Sequence, residues 1–152
     1  MDAAGEELAK AQNVNGTPPA FRVTVEGPRQ SLSPILQDEV YRIGREVLRN
    51  AFQHSEASHI EAEIRYDNRQ LRLRIRDDGK GIDREIMAEG AKAGHWGLPG
   101  ARARASWIGG RLDFWSEPGA GTEVELTVPA SRAYAKSQAQ RHFSFFRKKD
   151  VL

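Results

Sequence analysis

Three short segments of this sequence carry residue types that could bind a ligand or catalyse a reaction. The first holds Glu46 and Asn50, four residues apart in a segment whose pattern predicts a helix. Their side chains would share one helix face, with Cβ atoms about 5–6 Å apart. A carboxylate beside an amide can orient a water molecule or hold a hydrated divalent cation. An ordinary polar helix face explains the same pair, so the pair alone does not decide its role.

The second segment is the run Asp77-Asp78-Gly79-Lys80-Gly81, which directly follows a predicted strand. Glycine lets the backbone approach a flat ligand closely. A carboxylate at the end of the strand can accept a hydrogen bond from a ligand's amino group. The later acidic residues do not stand where an EF-hand calcium loop needs them. Taken alone, the segment could also be a simple glycine-rich turn.

The third segment, residues 94–100 with the sequence GHWGLPG, precedes a helical pattern at residues 101–108. Backbone N–H groups at the start of a helix can hold a phosphate group. The spacing matches neither the phosphate loop GxxxxGK[ST] nor a GxGxxG motif after a strand, and a flexible connector is the alternative. A fourth signal, Gly121-Thr122, begins the last predicted strand and means little by itself.

The hydrophobic pattern predicts the elements that must position these segments. Ser33 and Pro34 are typical of a helix start, and the next twenty or so residues carry one apolar stripe, formed by Leu36, Val40, Ile43, Val47 and Ala51. Strands with one apolar and one charged face are predicted around residues 21–25, 60–64, 71–75, 112–114 and 124–128. We therefore predict an α/β fold, a two-layer α/β sandwich whose mixed sheet carries helices on one face.

The composition excludes several classes of protein. The 152 residues suit one ordinary domain, and none is cysteine, which rules out disulfides and zinc–thiolate sites. The four histidines are scattered and lack the spacing of a metal motif. No apolar run approaches the roughly 20 residues of a membrane span, and the first residues lack the apolar core of a signal peptide.

Charge and composition divide the chain into three parts. Residues 131–152 hold six basic residues and one acidic residue, a net +5, whereas the rest holds 17 basic and 20 acidic residues, a net −3. We predict that residues 1–20 are a linker with the remnant of a preceding helix, that 21–130 form the domain, and that 131–152 form a disordered basic tail. The acidic domain predicts no nucleic-acid partner.

One row of cations inside the domain needs a separate account. Arg72, Arg74 and Arg76 alternate along one predicted strand and could form a stripe that binds nucleic acid. Neighbouring strands offer acidic partners on the same predicted face, namely Glu61, Glu63, Glu123 and Glu125. Cross-strand charge pairing is therefore the favoured interpretation.

The order of the four chemical segments is more specific than any one of them. A helix with Glu46 and Asn50, then Asp77-x-Gly79-x-Gly81, then the glycine-rich segment 94–100 and finally Gly121-Thr122 make the chain similar to one superfamily. It resembles the ATP-binding catalytic domain of sensor histidine kinases, in the superfamily shared with gyrase, the Hsp90 chaperones and the MutL proteins. The resemblance covers about residues 21–130, is nearest the nitrate-sensor subfamily and implies the Bergerat-type ATP-binding fold.

The resemblance implies a role for each matching residue. Asn50 would hold Mg²⁺ between the phosphates, and Glu46 would orient or polarise the attacking group, which makes these two the expected catalytic residues. Asp77 would bind the adenine amino group with Thr122 beside it, and residues 83–93 would form a lid. The expected nucleotide-binding residues are Asp77, Gly79, Gly81, Gly94, Gly97, Leu98, Gly100 and Thr122.

The resemblance also implies a function and its partners. The chain would bind Mg-ATP and donate the γ-phosphate to a histidine on a separate dimerisation domain of a two-component sensor kinase, with a response regulator downstream. We expect an excised, monomeric, cytoplasmic domain that cannot phosphorylate itself, from a parent protein anchored in the inner membrane. Three alternatives stay open: a stand-alone ATPase of the gyrase or chaperone type, a nucleotide sensor or regulatory serine kinase of the anti-sigma type, and a non-catalytic scaffold.

Overall fold

The computed structural model describes residues 17–83 and 98–135, together with the single positions Gly5 and Glu85. The described residues form eight elements: β1 (Ala20–Glu26), α1 (Pro34–His54), β2 (His59–Tyr66), β3 (Gln70–Asp77), α2 (Leu98–Trp107), β4 (Arg111–Glu117), β5 (Gly121–Pro129) and α3 (Ala130–Ala133). Within this part of the chain, no helix combines the length and the apolar character that a membrane span requires.

The five strands form one sheet in the order β1-β2-β3-β5-β4. β1 runs parallel to β2, and the other three neighbouring pairs are antiparallel. The predicted mixed sheet is therefore confirmed. Its register places Thr122 of β5 opposite Asp77 of β3 on one side and opposite Ser116 of β4 on the other. Residues directly opposite each other in a sheet project to the same face, so these three side chains meet at one end of the sheet.

The core lies between one face of the sheet and the two long helices. From α1 it takes Leu36, Ile43, Val47, Leu48, Ala51 and Phe52, which widen the predicted stripe, while the predicted Val40 is only partly buried. From α2 it takes Ala101 and Ala105. The strands supply the alternate apolar residues that the sequence pattern predicts, such as Leu71, Leu73 and Ile75 of β3. The two-layer α/β sandwich is confirmed.

The opposite face of the sheet carries paired charges. Arg72 and Arg74 both reach Glu63 at 2.8 Å, and Arg76 reaches Glu61 at 3.2 Å. Burial of Glu63 opposes its ionisation, but the hydrogen bonds and charges of the two arginines outweigh burial and hold its pKa below the usual range. The arginine row is thus neutralised within the sheet, as cross-strand pairing predicts.

The C-terminal boundary differs from the prediction. Ala133 is fully buried, and the Tyr134 hydroxyl bonds the turn between β2 and β3: it accepts from the Asp67 N–H at 3.2 Å and lies 2.9 Å from the carbonyl oxygens of Asp67 and Gln70. The Ala135 N–H donates to the carbonyl of Ser31. The folded unit therefore extends to residue 135 rather than 130, because one tyrosine and one alanine dock although their segment is polar. Residues 136–152 of the predicted tail lie outside the described residues.

Candidate functional site

A pocket opens between the C-terminal half of α1 and the ends of β3, β4 and β5. The empty space between these elements, counted with the solvent at the mouth of the pocket, is about 510 Å³. Its walls are mostly apolar, formed by Val47, Ile75, Ile82, Phe114 and Val124. Three polar side chains named in the sequence predictions reach the same space: Asn50, Asp77 and Thr122. An apolar slot with a few polar groups suits a flat heteroaromatic ligand.

Asp77 is the carboxylate of this pocket. Its Oδ1 atom accepts the Gly79 N–H at 2.9 Å, and the Thr122 backbone N–H also donates to the carboxylate. Burial raises the pKa of Asp77 above its ordinary value, although the hydrogen bonds from Gly79 and Thr122 work in the opposite direction. An ionised carboxylate offers about four acceptor positions. Two protein donors therefore leave capacity for a donor from a ligand.

The carboxylate of the neighbouring Asp78 bonds to the protein instead of lining the pocket. Its Oδ1 atom accepts the backbone N–H groups of Ser58 and His59, each at 2.8 Å, and its Oδ2 atom lies 2.8 Å from the His59 Nδ1 atom. These bonds, led by the one from the His59 backbone, lower the pKa of Asp78. Asp78 therefore fastens the loop to the start of β2, and Asp77 is the member of the pair that lines the pocket.

Gly79 and Gly81 are fixed by contacts within the protein. A Cβ atom on Gly79 would lie 2.2 Å from the Ser55 carbonyl oxygen, and one on Gly81 would lie 2.0 Å from the Glu117 carbonyl oxygen. Gly81 also has a φ angle of +68°, which favours glycine. The loop is thus clamped between the end of α1 and the β4–β5 hairpin. Close approach of the two glycines to a nucleotide stays a prediction, and the clamp is a separate reason for their presence.

Ser116 is a site residue that the sequence analysis missed. Its Oγ atom lies 2.8 Å from the Thr122 Oγ1 atom, accepts the Ile82 N–H at 2.8 Å and donates to the Gly121 carbonyl at 3.2 Å. It stands behind Thr122 and Ile82, both of which line the pocket. The available signal was its alternation with Leu112 and Phe114, which places a hydroxyl on the inward face of β4.

The first predicted pair occupies α1 as expected from its spacing. Glu46 and Asn50 are both partly buried, and Asn50 lines the pocket together with His54 one turn further on. Glu46 lies one turn from Asn50 and is not among the described residues that line the pocket. In the ranges 17–83 and 98–135, no group of three or more His, Cys, Asp or Glu side chains could hold a metal ion.

The third predicted segment is described only at its end. Gly94 and Gly97 lie outside the described residues, as does most of the predicted lid. Leu98 begins α2, and Gly100 is exposed in the first turn, where an added Cβ would have no neighbour within 4 Å. Farther along, Arg104 of α2 pairs with the nearly buried Glu39 of α1 at 3.0 Å. This ion pair helps to hold the C-terminal half of α2 beside α1.

Comparison with known proteins agrees with this geometry. The family of histidine kinase-, DNA gyrase B- and HSP90-like ATPases matches residues 35–132, so the chain belongs to this family. Within it, the chain is 38% identical over 99 residues to the sensor histidine kinase LiaS of Bacillus subtilis, covering 65% of this chain and 26% of LiaS. The matches to two other proteins are weaker. Identity is 32% over 97 residues to the sensor protein VraS of Staphylococcus saprophyticus, covering 64% of this chain and 27% of VraS. Identity is 31% over 111 residues to the histidine-protein kinase/phosphatase DegS of Bacillus subtilis, covering 73% of this chain and 29% of DegS.

The chain therefore spans about a quarter of the length of these curated relatives. The predicted family is confirmed, and with it membership of a class of ATP-binding domains. The finer assignment to the nitrate-sensor subfamily stays a prediction.

Proposed function

We propose that this chain is the catalytic domain of a two-component sensor kinase, which binds Mg-ATP and donates its γ-phosphate to a histidine on a separate dimerisation domain. The observation that carries the proposal is the half-buried acceptor Asp77 at the edge of an apolar slot, on the fold of this ATPase family. The names of the relatives, sensor kinases and a kinase/phosphatase, support the choice of kinase. A response regulator would take the phosphate next, and the parent protein would be anchored in a membrane with this domain on the cytoplasmic side.

The sheet end of the pocket would bind adenine. The exocyclic amino group of adenine donates hydrogen bonds, and Asp77 has acceptor capacity to receive one. Thr122 would add a second polar contact beside it. The apolar walls, including Ile75 and Phe114, would cover the faces of the base. This arrangement accounts for a pocket with few polar groups placed at one edge.

The α1 end of the pocket would hold the phosphates. Mg²⁺ prefers oxygen ligands and commonly takes only one or two from the protein, the rest coming from phosphates and water. One amide oxygen, that of Asn50, which lines the pocket, fits this mode. When bound, Mg²⁺ would neutralise charge on the phosphates. Backbone N–H groups near Gly94, Gly97, Leu98 and Gly100, before and at the start of α2, would hold the outer phosphates.

Glu46 would act on the incoming histidine. A neutral imidazole attacks phosphorus through its lone-pair nitrogen while the bond from the γ-phosphorus to the bridging oxygen breaks and ADP leaves. The other ring nitrogen carries a proton. Glu46 lies one helical turn from Asn50 and would accept a hydrogen bond from that N–H. It would thereby fix the orientation of the ring, and proximity would contribute most of the rate gain.

The proposal is tested by phosphate transfer. The purified chain is incubated with Mg²⁺ and ATP labelled on the γ-phosphate, with and without the parent protein's dimerisation domain. We expect acid-labile phosphate on the added domain and none on this chain alone. Asp77→Asn should greatly reduce transfer, whereas Asp113→Asn, an exposed residue of β4 paired with Arg111, should not. Rapid hydrolysis without transfer would favour the stand-alone ATPase, and phosphohistidine on this chain alone would contradict a separate acceptor domain.

The role of Asn50 is tested separately. Asn50→Ala should weaken binding of Mg-ATP more than binding of ATP in a metal chelator, because it removes a ligand of the metal. Calorimetry under the two conditions measures the difference. An equal loss with and without Mg²⁺ would show that the substitution damages α1 or contacts the nucleotide directly.

A further inference from the structure

We propose that Ser116 is a positioning residue that makes the pocket selective for adenine, by fixing which way the Thr122 hydroxyl points. This inference rests on the proposed binding of ATP. Ser116 stands behind the pocket wall and would act on the ligand only through Thr122 and Ile82.

The argument begins with the hydrogen-bond capacity of one hydroxyl. Ser116 Oγ has one proton to donate and two lone pairs to accept with. One lone pair takes the Ile82 N–H at 2.8 Å, and the proton points to the Gly121 carbonyl at 3.2 Å. The remaining lone pair faces the Thr122 Oγ1 atom at 2.8 Å. Every position is filled if Thr122 donates its own proton to Ser116.

The 2.8 Å contact allows either hydroxyl to be the donor, and we take Thr122 as the donor because that choice fills every hydrogen-bonding position of Ser116. The choice decides what Thr122 offers to the pocket. With its proton directed back to Ser116, the Thr122 hydroxyl presents only lone pairs to a ligand. Asp77, directly opposite Thr122 in the register, is an acceptor when ionised. The end wall of the pocket is therefore a row of acceptors, and it matches an amino group that carries two N–H donors.

A row of acceptors discriminates between purines. Adenine carries an amino group at the edge where guanine carries a carbonyl oxygen. A carbonyl facing Asp77 and Thr122 would place acceptor against acceptor, and a buried polar group left without a partner is costly. If Ser116 is absent, the Thr122 hydroxyl can rotate and donate into the pocket, so guanine becomes less unfavourable.

The same serine also holds the pocket wall through its second contact. Its bond to the Ile82 N–H ties the loop after Gly81 to β4, and the Ile82 residue lines the pocket. Loss of this bond should lower affinity for any purine nucleotide. The two contacts of Ser116 thus affect different quantities. The contact with Ile82 affects the affinity for any purine nucleotide, and the contact with Thr122 affects the ratio of the affinities for adenine and guanine nucleotides.

The experiment compares binding of non-hydrolysable ATP and GTP analogues by calorimetry. For Ser116→Ala we expect ATP-analogue affinity to fall about fivefold to tenfold, as for loss of one hydrogen bond, and the preference for ATP over GTP to fall severalfold. Ser116→Thr, which keeps the hydroxyl, should restore the preference. In a Thr122→Ala background, Ser116→Ala should no longer change the preference, since the group through which it acts is gone.

The outcomes separate the two proposals. If the wild-type chain binds neither analogue, the proposed function itself fails. If wild type binds ATP analogue and Ser116→Ala weakens both analogues equally, Ser116 supports the fold without setting selectivity, and the inference is overturned. The same conclusion follows if Ser116→Ala changes the preference equally with and without Thr122. Melting curves of each variant identify any that fail to fold. If Ser116→Ala does, Ser116→Cys, which also removes the hydroxyl, takes its place with and without Thr122.

Discussion

The two glycines of residues 77–82 and Gly100, in the first turn of α2, stand in different surroundings. In residues 77–82, both glycines face backbone carbonyls of the protein itself, at distances that would leave no room for a Cβ atom. At the end of residues 94–100, an added Cβ on Gly100 would meet none of the described residues within 4 Å. The first segment is closed by the protein's own contacts, whereas Gly100, in the first turn of α2, meets no such contact from the part of the chain that the structure describes.

This difference matches the demands of the two ends of a nucleotide. Recognition of a base requires fixed donors and acceptors, because selectivity depends on groups that cannot rearrange. The Asp77 end is accordingly held by strand register and by bonds to Gly79 and Thr122. Phosphates are recognised mainly by charge and by backbone N–H groups, which tolerate more variation. Substitutions of the two glycines in the first segment should therefore act mainly through stability, and a substitution of Gly100 through binding.

The largest expected effect is that of Gly81→Ala on stability. The new Cβ would meet the Glu117 carbonyl at 2.0 Å on a backbone with φ of +68°. We expect the free energy of unfolding to fall by about 2–4 kcal/mol, from strain and steric overlap together. Urea denaturation measures this change.

Gly119→Ala is the matched control for this substitution. Gly119 has a similar φ of +79° but no neighbour within 4 Å of an added Cβ. The free energy of unfolding of the Gly119→Ala variant should fall by only about 1–2 kcal/mol, the cost of the left-handed backbone. If both variants lose the same amount, the clamp on the first segment does not exist and the contrast between the segments collapses.

The next effect concerns the pH dependence of nucleotide binding through Asp77. Because burial raises the pKa of Asp77, its protonation should begin at a higher pH than for an exposed aspartate, and the protonated group accepts fewer hydrogen bonds. ATP-analogue affinity should fall as the pH drops through this raised pKa. Asp77→Asn should bind about 1–3 kcal/mol more weakly at neutral pH and show a flatter pH profile.

The same residue has the opposite effect on the stability of the free domain. A raised pKa in the folded state means that the folded state favours the proton, so this contribution to stability is present at low pH and is lost as the pH rises through the folded pKa. Asp77→Asn should remove the loss of stability that occurs as the pH rises. A variant that binds worse, yet whose stability at neutral pH is equal to or above wild type, would show that Asp77 is kept for binding.

The sequence pattern predicted the strands, the long helix and three polar residues that share one pocket. Alternating apolar residues located all five strands, and the motif order singled out Asn50, Asp77 and Thr122, which line one pocket in the structure. The roles of these three residues stay predictions. Local patterns cannot show which strands become neighbours. Ser116 therefore escaped notice, because its role depends on the pairing of β4 with β5 and on the distant Ile82.

The C-terminal boundary was misjudged for a related reason. Residues after 130 are polar and basic, which predicts disorder from composition. Tyr134 nevertheless bonds Asp67 and Gln70, which lie more than sixty residues earlier in the chain. A single side chain that completes a turn far away in sequence leaves no periodic pattern to read.

A smaller effect is expected at Tyr134, which is outside both glycine segments. Tyr134→Phe keeps the ring beside Tyr66 but removes the hydroxyl that bonds the turn at Asp67 and Gln70. We expect a loss of about 1 kcal/mol of stability and no change in ATP-analogue affinity. Thermal melting and calorimetry check the two quantities. A large drop in affinity would mean that the two ends of the sheet are coupled, so that stability and binding could not be assigned to separate regions.

The smallest effect on stability, a slight gain or no change, is predicted for Gly100→Ala. Alanine favours a helix over glycine by up to about 1 kcal/mol, and the open space around Gly100 allows the methyl group without a clash. The variant should therefore be as stable as wild type or slightly more stable.

If phosphates approach the first turn of α2, the same methyl group should obstruct them, and ATP-analogue affinity should fall while adenosine affinity stays unchanged. Ala103→Gly, an exposed position later in α2, is the reverse control: it should lower stability and leave both affinities alone. If Gly100→Ala binds the ATP analogue as wild type does, the phosphates do not approach this turn, and the open space at Gly100 has no bearing on the nucleotide.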